Sequence, residues 1–146
     1  MSALVLASLL WGAGPASCPE LPSPPPERGV ALGLFSADPD WRYDGLLEEI
    51  AETGATHVSV VWVWWQEGLS ATEIAPKPAW SATEAQVRAA MEKADALGLH
   101  VTLFPIVRLI RPGPGEWRGK IAPADEAAWW SSYDAFVLRA AALAAQ

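Results

Sequence analysis

Trp65-Gln66 and Trp117-Arg118 are two places in this chain where a flat indole stands next to a side chain rich in hydrogen-bonding groups. An indole face can cover the apolar face of a small ring, while Gln offers both donor and acceptor and Arg offers five donors. Together they suit a polyhydroxylated ring, so a sugar is the ligand these pairs suggest, with Trp41 as a further aromatic contact. Carboxylates that could act as acid or base are less well placed. Glu67 and Glu73 read as solvated loop charges, and Asp38 and Asp40 as a turn and a helix cap. His57 and His100 open apolar runs and read as structural. No metal-ligand spacing and no glycine-rich phosphate loop is present. No catalytic residue, metal or cofactor is therefore assigned.

Three apolar runs must position these groups. The second, starting at His57, is β-branched on both faces (Val58, Val60 and Val61, Val63) and reads as a strand to about Trp64. A strand apolar on both sides belongs in a parallel sheet covered by helices. Alternate side chains point to opposite faces, so Trp62 and Trp64 read as packing and Trp65 as its opposite. The first run, residues 30–35, and the third, residues 100–106, read as its neighbours, the third ending or bulging at Pro105. Helices are expected over residues 41–53, capped by Asp40, from a capping box at Ser81 and Glu84 to Gly98, and over residues 124–145. The last carries a stripe of Trp130, Tyr133, Val137, Ala140 and Ala144, widened by Trp129 and Phe136.

The order is thus βα three times: an α/β fold with a parallel sheet of about three βα units and right-handed crossovers. Loops after the strands are long and loops after the helices short. In (β/α)8 barrels the functional face lies at the strand carboxyl ends, and six of the nine tryptophans fall at or just after expected strand ends. A complete barrel needs about 250 residues, so a chain of 146 is expected to be the amino-terminal portion of one.

Residues 1–18 read as a signal peptide. The apolar run 3–11 is too short to span a bilayer, and Ala16-Ser17 before Cys18 resembles a bacterial lipoprotein signal with Cys18 as the lipidated residue. Ordinary secretion is one alternative, and a mis-set start codon or a cytoplasmic protein is the other. Residues 19–28 hold five prolines and read as a semi-rigid linker, leaving 29–146 as the folded part. The expected location is the bacterial cell envelope, secreted or membrane-anchored through Cys18. A net charge of −7 argues against nucleic acid as a partner, since phosphates need clustered Lys and Arg.

Five pieces in register resemble one family. Residues 54–66 with Trp64-Trp65-Gln66, the Thr72-x-Ile74-x-Pro76 piece, residues 94–101, Trp117-Arg118-Gly119-x-Ile121 and the aromatic run 130–136 resemble family-113 glycoside hydrolases, which are β-mannanase-like TIM barrels. The resemblance implies a partial (β/α)8 barrel, a retaining glycoside hydrolase acting on β-linked polysaccharide or oligosaccharide, and a carbohydrate partner. It places the acid/base glutamate after strand four and the nucleophile after strand seven, so this portion is expected to be inactive alone. Where the family often has Lys-Pro-His-Val-Asp, this chain has Phe104-Pro105-Ile106-Val107-Arg108, and the subsite lined there is expected to differ. Two alternatives remain: a non-catalytic carbohydrate-binding lipoprotein on the same scaffold, and, more remotely, a barrel isomerase or aldolase.

Overall fold

A strand that is apolar on both faces needs cover on both, and in the computed structural model the cover on one face is helical. The structure describes residues 26–36 and 38–146. Strands β1 (Gly29–Gly33), β2 (His57–Gln66) and β3 (His100–Leu109) alternate with helices α1 (Asp44–Glu52), α2 (Glu84–Ala96) and α3 (Glu126–Ala144), and a 3-10 turn, Arg118–Lys120, precedes α3. The sheet order is β1-β2-β3, all parallel, with Gly29 and His100 both paired to His57. The expected α/β arrangement of three βα units in one parallel sheet is what the chain forms.

Alternation along β2 divides the molecule. Val58, Val60 and Trp62 point to the helices and join Leu32, Leu34, Leu47, Val87, Ala90, Ala94, Phe136 and Ala140 in one buried cluster. Alanines at the helix contacts let α2 and α3 approach the sheet closely. Each fully buried Val, Leu or Phe in such a cluster contributes roughly 1.5–3 kcal/mol. Trp62 is anchored at its polar end too, its Nε1 donating to the Ala82 carbonyl at 2.9 Å. Trp64 stacks on Phe136, ring centroids 4.6 Å apart and 14° from parallel.

Below the sheet the connections are tight. Gly54 and Gly98 end α1 and α2 with φ of 77° and 76°, the left-handed conformation that glycine accepts without a Cβ clash. Thr56 binds both neighbouring segments: its N–H donates to the Arg28 carbonyl at 2.8 Å, and its carbonyl accepts from His100 N at 2.9 Å. The Arg28 amide donates to Thr56 Oγ1 at 3.0 Å, so the pairing begins at the last residue of the proline-rich stretch. The signal peptide and residues 19–25, with Cys18, lie outside the described residues, as does Ala37.

Several boundaries differ from the sequence expectation. β2 runs on to Gln66, and β3 passes through Pro105 to Leu109 without stopping. The amides of His100 and Ile110 donate to Thr56 and Gln66 of the β2 side, so even-numbered β3 positions face β2. Pro105 falls on the other edge, where its missing N–H breaks no bond to β2. Asp40 does not cap α1: its amide donates to Asp38 Oδ1 at 2.9 Å in a turn, and the helix starts after Tyr43 with no side-chain cap. The capping box of α2 is Thr83 with Gln86, not Ser81 with Glu84. Ser81 is buried instead, its hydroxyl donating to the Val63 carbonyl at 2.8 Å and accepting from Lys77 N at 3.0 Å. In α3 the buried face is Phe136, Ala140 and Leu143, and Trp130, expected on the inner stripe, is exposed. Phe136 stacks on Trp64, and that contact sets the helix rotation.

Candidate functional site

The last residues of β2 and β3 face each other in register, Trp65 with Arg108 and Gln66 with Leu109. Alternation sends Trp65 and Arg108 to the face away from the helices. There the Arg108 guanidinium carbon lies 5.0 Å from the Trp65 ring centroid and 5.8 Å from that of Phe35, just past β1. Trp80 meets Trp65 edge-on at 5.3 Å and 61°. Phe35, Trp65, Trp80, Arg108 and Pro112 line one hollow, and Arg108, Pro112, Glu116, Trp117 and Arg118 line the next. Arg108, Leu109 and Pro112 belong to both, so the two form a continuous cleft across the strand carboxyl ends.

The loops that build this cleft are held by backbone bonds. Trp65 and Ala75 exchange N–H···O bonds of 2.9 Å in both directions, folding the second loop back onto its strand. Ser132 of α3 clamps that loop, its hydroxyl accepting from Ile74 N at 2.7 Å. The third loop is sewn to the second by Ala122 N to Leu69 O at 3.0 Å and Ala124 N to Ser70 O at 2.9 Å. Within it, Glu116 accepts from Gly113 N at 2.8 Å and Lys120 Nζ donates to Gly115 O at 2.8 Å. The Trp117 indole lies across Gly119, where a Cβ would overlap the ring. That is a physical reason for the glycine in Trp117-Arg118-Gly119. The first loop is tied by Tyr43, whose hydroxyl accepts from Ser36 N at 3.0 Å. Burial pushes the Tyr43 phenol above its ordinary value, against the opposing pull of that bond.

The five residues expected to touch a ligand are not all together. Trp65, Trp117 and Arg118 line the cleft, Trp117 being 59% exposed. Gln66 lies on the other face of β2, only 1% exposed. Its Oε1 accepts from Trp129 Nε1 at 2.8 Å and its Nε2 donates to Gly68 O at 2.8 Å, so it joins α3 to the start of the second loop. Trp41 lines a separate hollow against α2 with Arg42 and Gln86, held there by Gln86 Nε2 donating to the Trp41 carbonyl at 3.2 Å. Glu67 pairs with Arg111 at 3.3 Å, both exposed, and Glu73 is exposed beside it. His57 and His100 meet with their rings tilted by 32°, centroids 4.7 Å apart, at the amino ends of their strands, opposite the cleft. Among the described residues no group of three His, Cys, Asp or Glu is placed to hold a metal.

Phe35 and Trp80 are cleft residues that the sequence did not single out as contacts, while Arg108, expected only as part of an altered subsite, joins them in the cleft. Arg108 could have been found from register alone, because one strand offset from His100 against His57 puts it opposite Trp65. Trp80 could not, since the path of a loop of this length is set by tertiary contacts.

Parallel strands in chain order, each followed by a helix, with long loops gathered over the strand carboxyl ends, define part of the wall of a (β/α)8 barrel and its ligand-facing end. The model of Glycoside Hydrolase Family 113 matches residues 37–146. The chain belongs to glycoside hydrolase family 113. Among solved structures it is similar to the GH113 β-mannanase of Alicyclobacillus acidocaldarius in complex with ManMIm, with 25% identity and a TM-score of 0.70 over 81% of this chain and 40% of that one. A GH113 β-1,4-mannanase is similar in fold at 23% identity and a TM-score of 0.63, over 73% of this chain and 38% of that one. The chain therefore spans about 40% of the length of the first of these structures. None of the curated proteins matches it.

Proposed function

We propose that this chain is the amino-terminal portion of a glycoside hydrolase that cleaves a β-linked polysaccharide or oligosaccharide, and that it supplies one wall of the substrate cleft. The observation that carries the proposal is the continuous groove of Trp65, Trp80, Arg108, Trp117 and Arg118 at the strand carboxyl ends of a family-113 barrel wall. Trp117 and Trp65 offer aromatic surface to sugar rings and Arg118 donates to hydroxyls. Gln66 acts from beneath by fixing Trp129 and Gly68. Trp41 lines a neighbouring hollow and takes no part in this groove.

Hydrolysis of a glycosidic bond uses two carboxyl groups, about 5–5.5 Å apart in retaining enzymes. On the family resemblance these come from strands four and seven, so β1–β3 bind and orient while later strands do the chemistry. The solved relatives are β-mannanases. The altered end of β3, with Phe104, Ile106 and Arg108, supports a substrate contact of different character there. The test is hydrolysis by the full-length gene product on mannan, glucan and xylan panels, read as reducing-end release. Cleavage of at least one β-linked chain is expected, and no cleavage of any overturns the reading in favour of a non-catalytic carbohydrate-binding protein.

The proposal extends to the envelope. Residues 1–18 act as an export signal and Cys18 carries the lipid, with the proline-rich stretch as tether; the support is the sequence pattern alone. Labelling with an alkyne fatty acid in a bacterial host should mark the protein, and Cys18→Ser should abolish the label and release the protein from membranes.

A further inference from the structure

Arg108 and Arg118 meet in one hollow of the cleft. The chain has 17 acidic and 10 basic side chains, so carboxylate partners are plentiful, and Arg42, Arg111 and Arg139 each have one. Among the described residues neither Arg108 nor Arg118 makes an ion pair or a side-chain hydrogen bond, yet both line the same hollow. The carboxylate on that hollow, Glu116, is engaged by the Gly113 amide.

The setting of Arg108 also matters. Its guanidinium lies over Trp65 and Phe35, close enough for cation–π attraction to hold it at the floor of the cleft. Among the described residues none of its N–H groups is used in a side-chain hydrogen bond, so its donors remain available to a ligand. A planar fork of donors matches a carboxylate through two parallel bonds. Beside it, Trp117 presents an indole face that suits a pyranose ring.

We propose, on the reading of this cleft as a sugar site, that Arg108, assisted by Arg118, selects β-linked glycans bearing a carboxylate, as in a uronate residue. Arg108 is then a specificity-determining residue, with Trp117 covering the ring of the acidic unit or its neighbour. A neutral glycan could form no charge-assisted pair with either arginine.

The test uses the full-length gene product and β-linked oligosaccharides of matched length. One set carries glucuronate in the main chain and another carries it as a branch, each with its carboxyl-reduced neutral counterpart, and affinities are read by calorimetry. The acidic member of at least one set should bind about tenfold tighter or more, as a charge-assisted pair of hydrogen bonds implies. That ratio should shrink between about 0.05 M and about 0.5 M salt, because exposed charges are screened. Arg108→Gln should bring the ratio close to one. Arg108→Lys should keep part of it, having the charge without the fork. Arg118→Gln, on a different segment, should lower the ratio separately. Equal binding of acidic and neutral members by the unaltered protein overturns the carboxylate assignment and leaves the sugar site standing. A preference for a sulfated counterpart over the carboxylated one overturns it as well. No binding and no hydrolysis of any member overturns both readings.

Discussion

The two faces of β2 carry the same kind of residue to opposite ends. On the helix side, Trp62 is buried to 2%, hydrogen-bonded at its indole nitrogen and edge-packed on Phe136 at 5.4 Å. On the other side, three residues later, Trp65 is partly buried and lies beneath an arginine at the floor of a groove. Composition does not distinguish them; the two-residue period of a strand does. The same rule separates Gln66 from Trp65: neighbours in sequence, one binds α3 from below and the other faces the cleft. A tryptophan-rich strand end is thus two things at once, half of it core and half of it surface for a ligand.

Substitutions can break or sharpen that contrast. The largest effect is expected on the helix side: Trp62→Ala should remove about 3–5 kcal/mol of stability, read by denaturant unfolding or by loss of soluble protein. Trp65→Ala should remove about 1–2 kcal/mol, and an equal loss for the two would sink the distinction drawn between the faces. Next comes Gln66→Leu, which keeps the bulk but strands the Trp129 indole N–H and the Gly68 carbonyl, for a loss of about 1–3 kcal/mol. If Gln66 instead matters mainly by touching sugar, this variant would unfold normally and lose only binding. Trp117→Ala should leave stability within about 0.5 kcal/mol while weakening oligosaccharide binding by the full-length protein by about tenfold, the order expected for one aromatic contact.

The smallest effect is electrostatic and far from the cleft. Arg139 holds the Glu84 carboxyl below its ordinary value, chiefly by direct hydrogen bonds, one of them 2.6 Å, and so joins the start of α2 to α3. Because the folded value is the lower one, this contribution is complete above the unfolded value of 4.5 and disappears as pH falls through the folded one. Acid unfolding of Glu84→Gln should therefore be shallower than that of the unaltered protein below pH 4.5 and parallel to it at neutral pH.

Much of the fold was readable from local signals, and the errors have a common cause. Helix ends at Gly54 and Gly98 and strand starts at His57 and His100 rest on backbone preference and period, which neighbours do not override. Caps were less legible. Ser81 has the composition of a cap, but Val63 of β2 and Lys77 of the loop compete for its hydroxyl, and Thr83 takes the role. Pro105 reads as a strand breaker until the direction of the β3 amides is known. Trp130 and Trp129 are equally apolar, and only the Phe136–Trp64 stack shows which one turns inward.

By itself, the sequence determined that three βα units would form a parallel sheet with its long loops at one end, since hydrophobic period and turn residues act over short range. It also placed Trp65, Trp117 and Arg118 at that end. Only the tertiary structure decided which of these share a cleft, because that depends on strand register and on loops tied to each other across dozens of residues. Register set Arg108 over Trp65, loop-to-loop bonds brought Trp117 and Arg118 beside it, and strand alternation moved Gln66 out of reach on the far face.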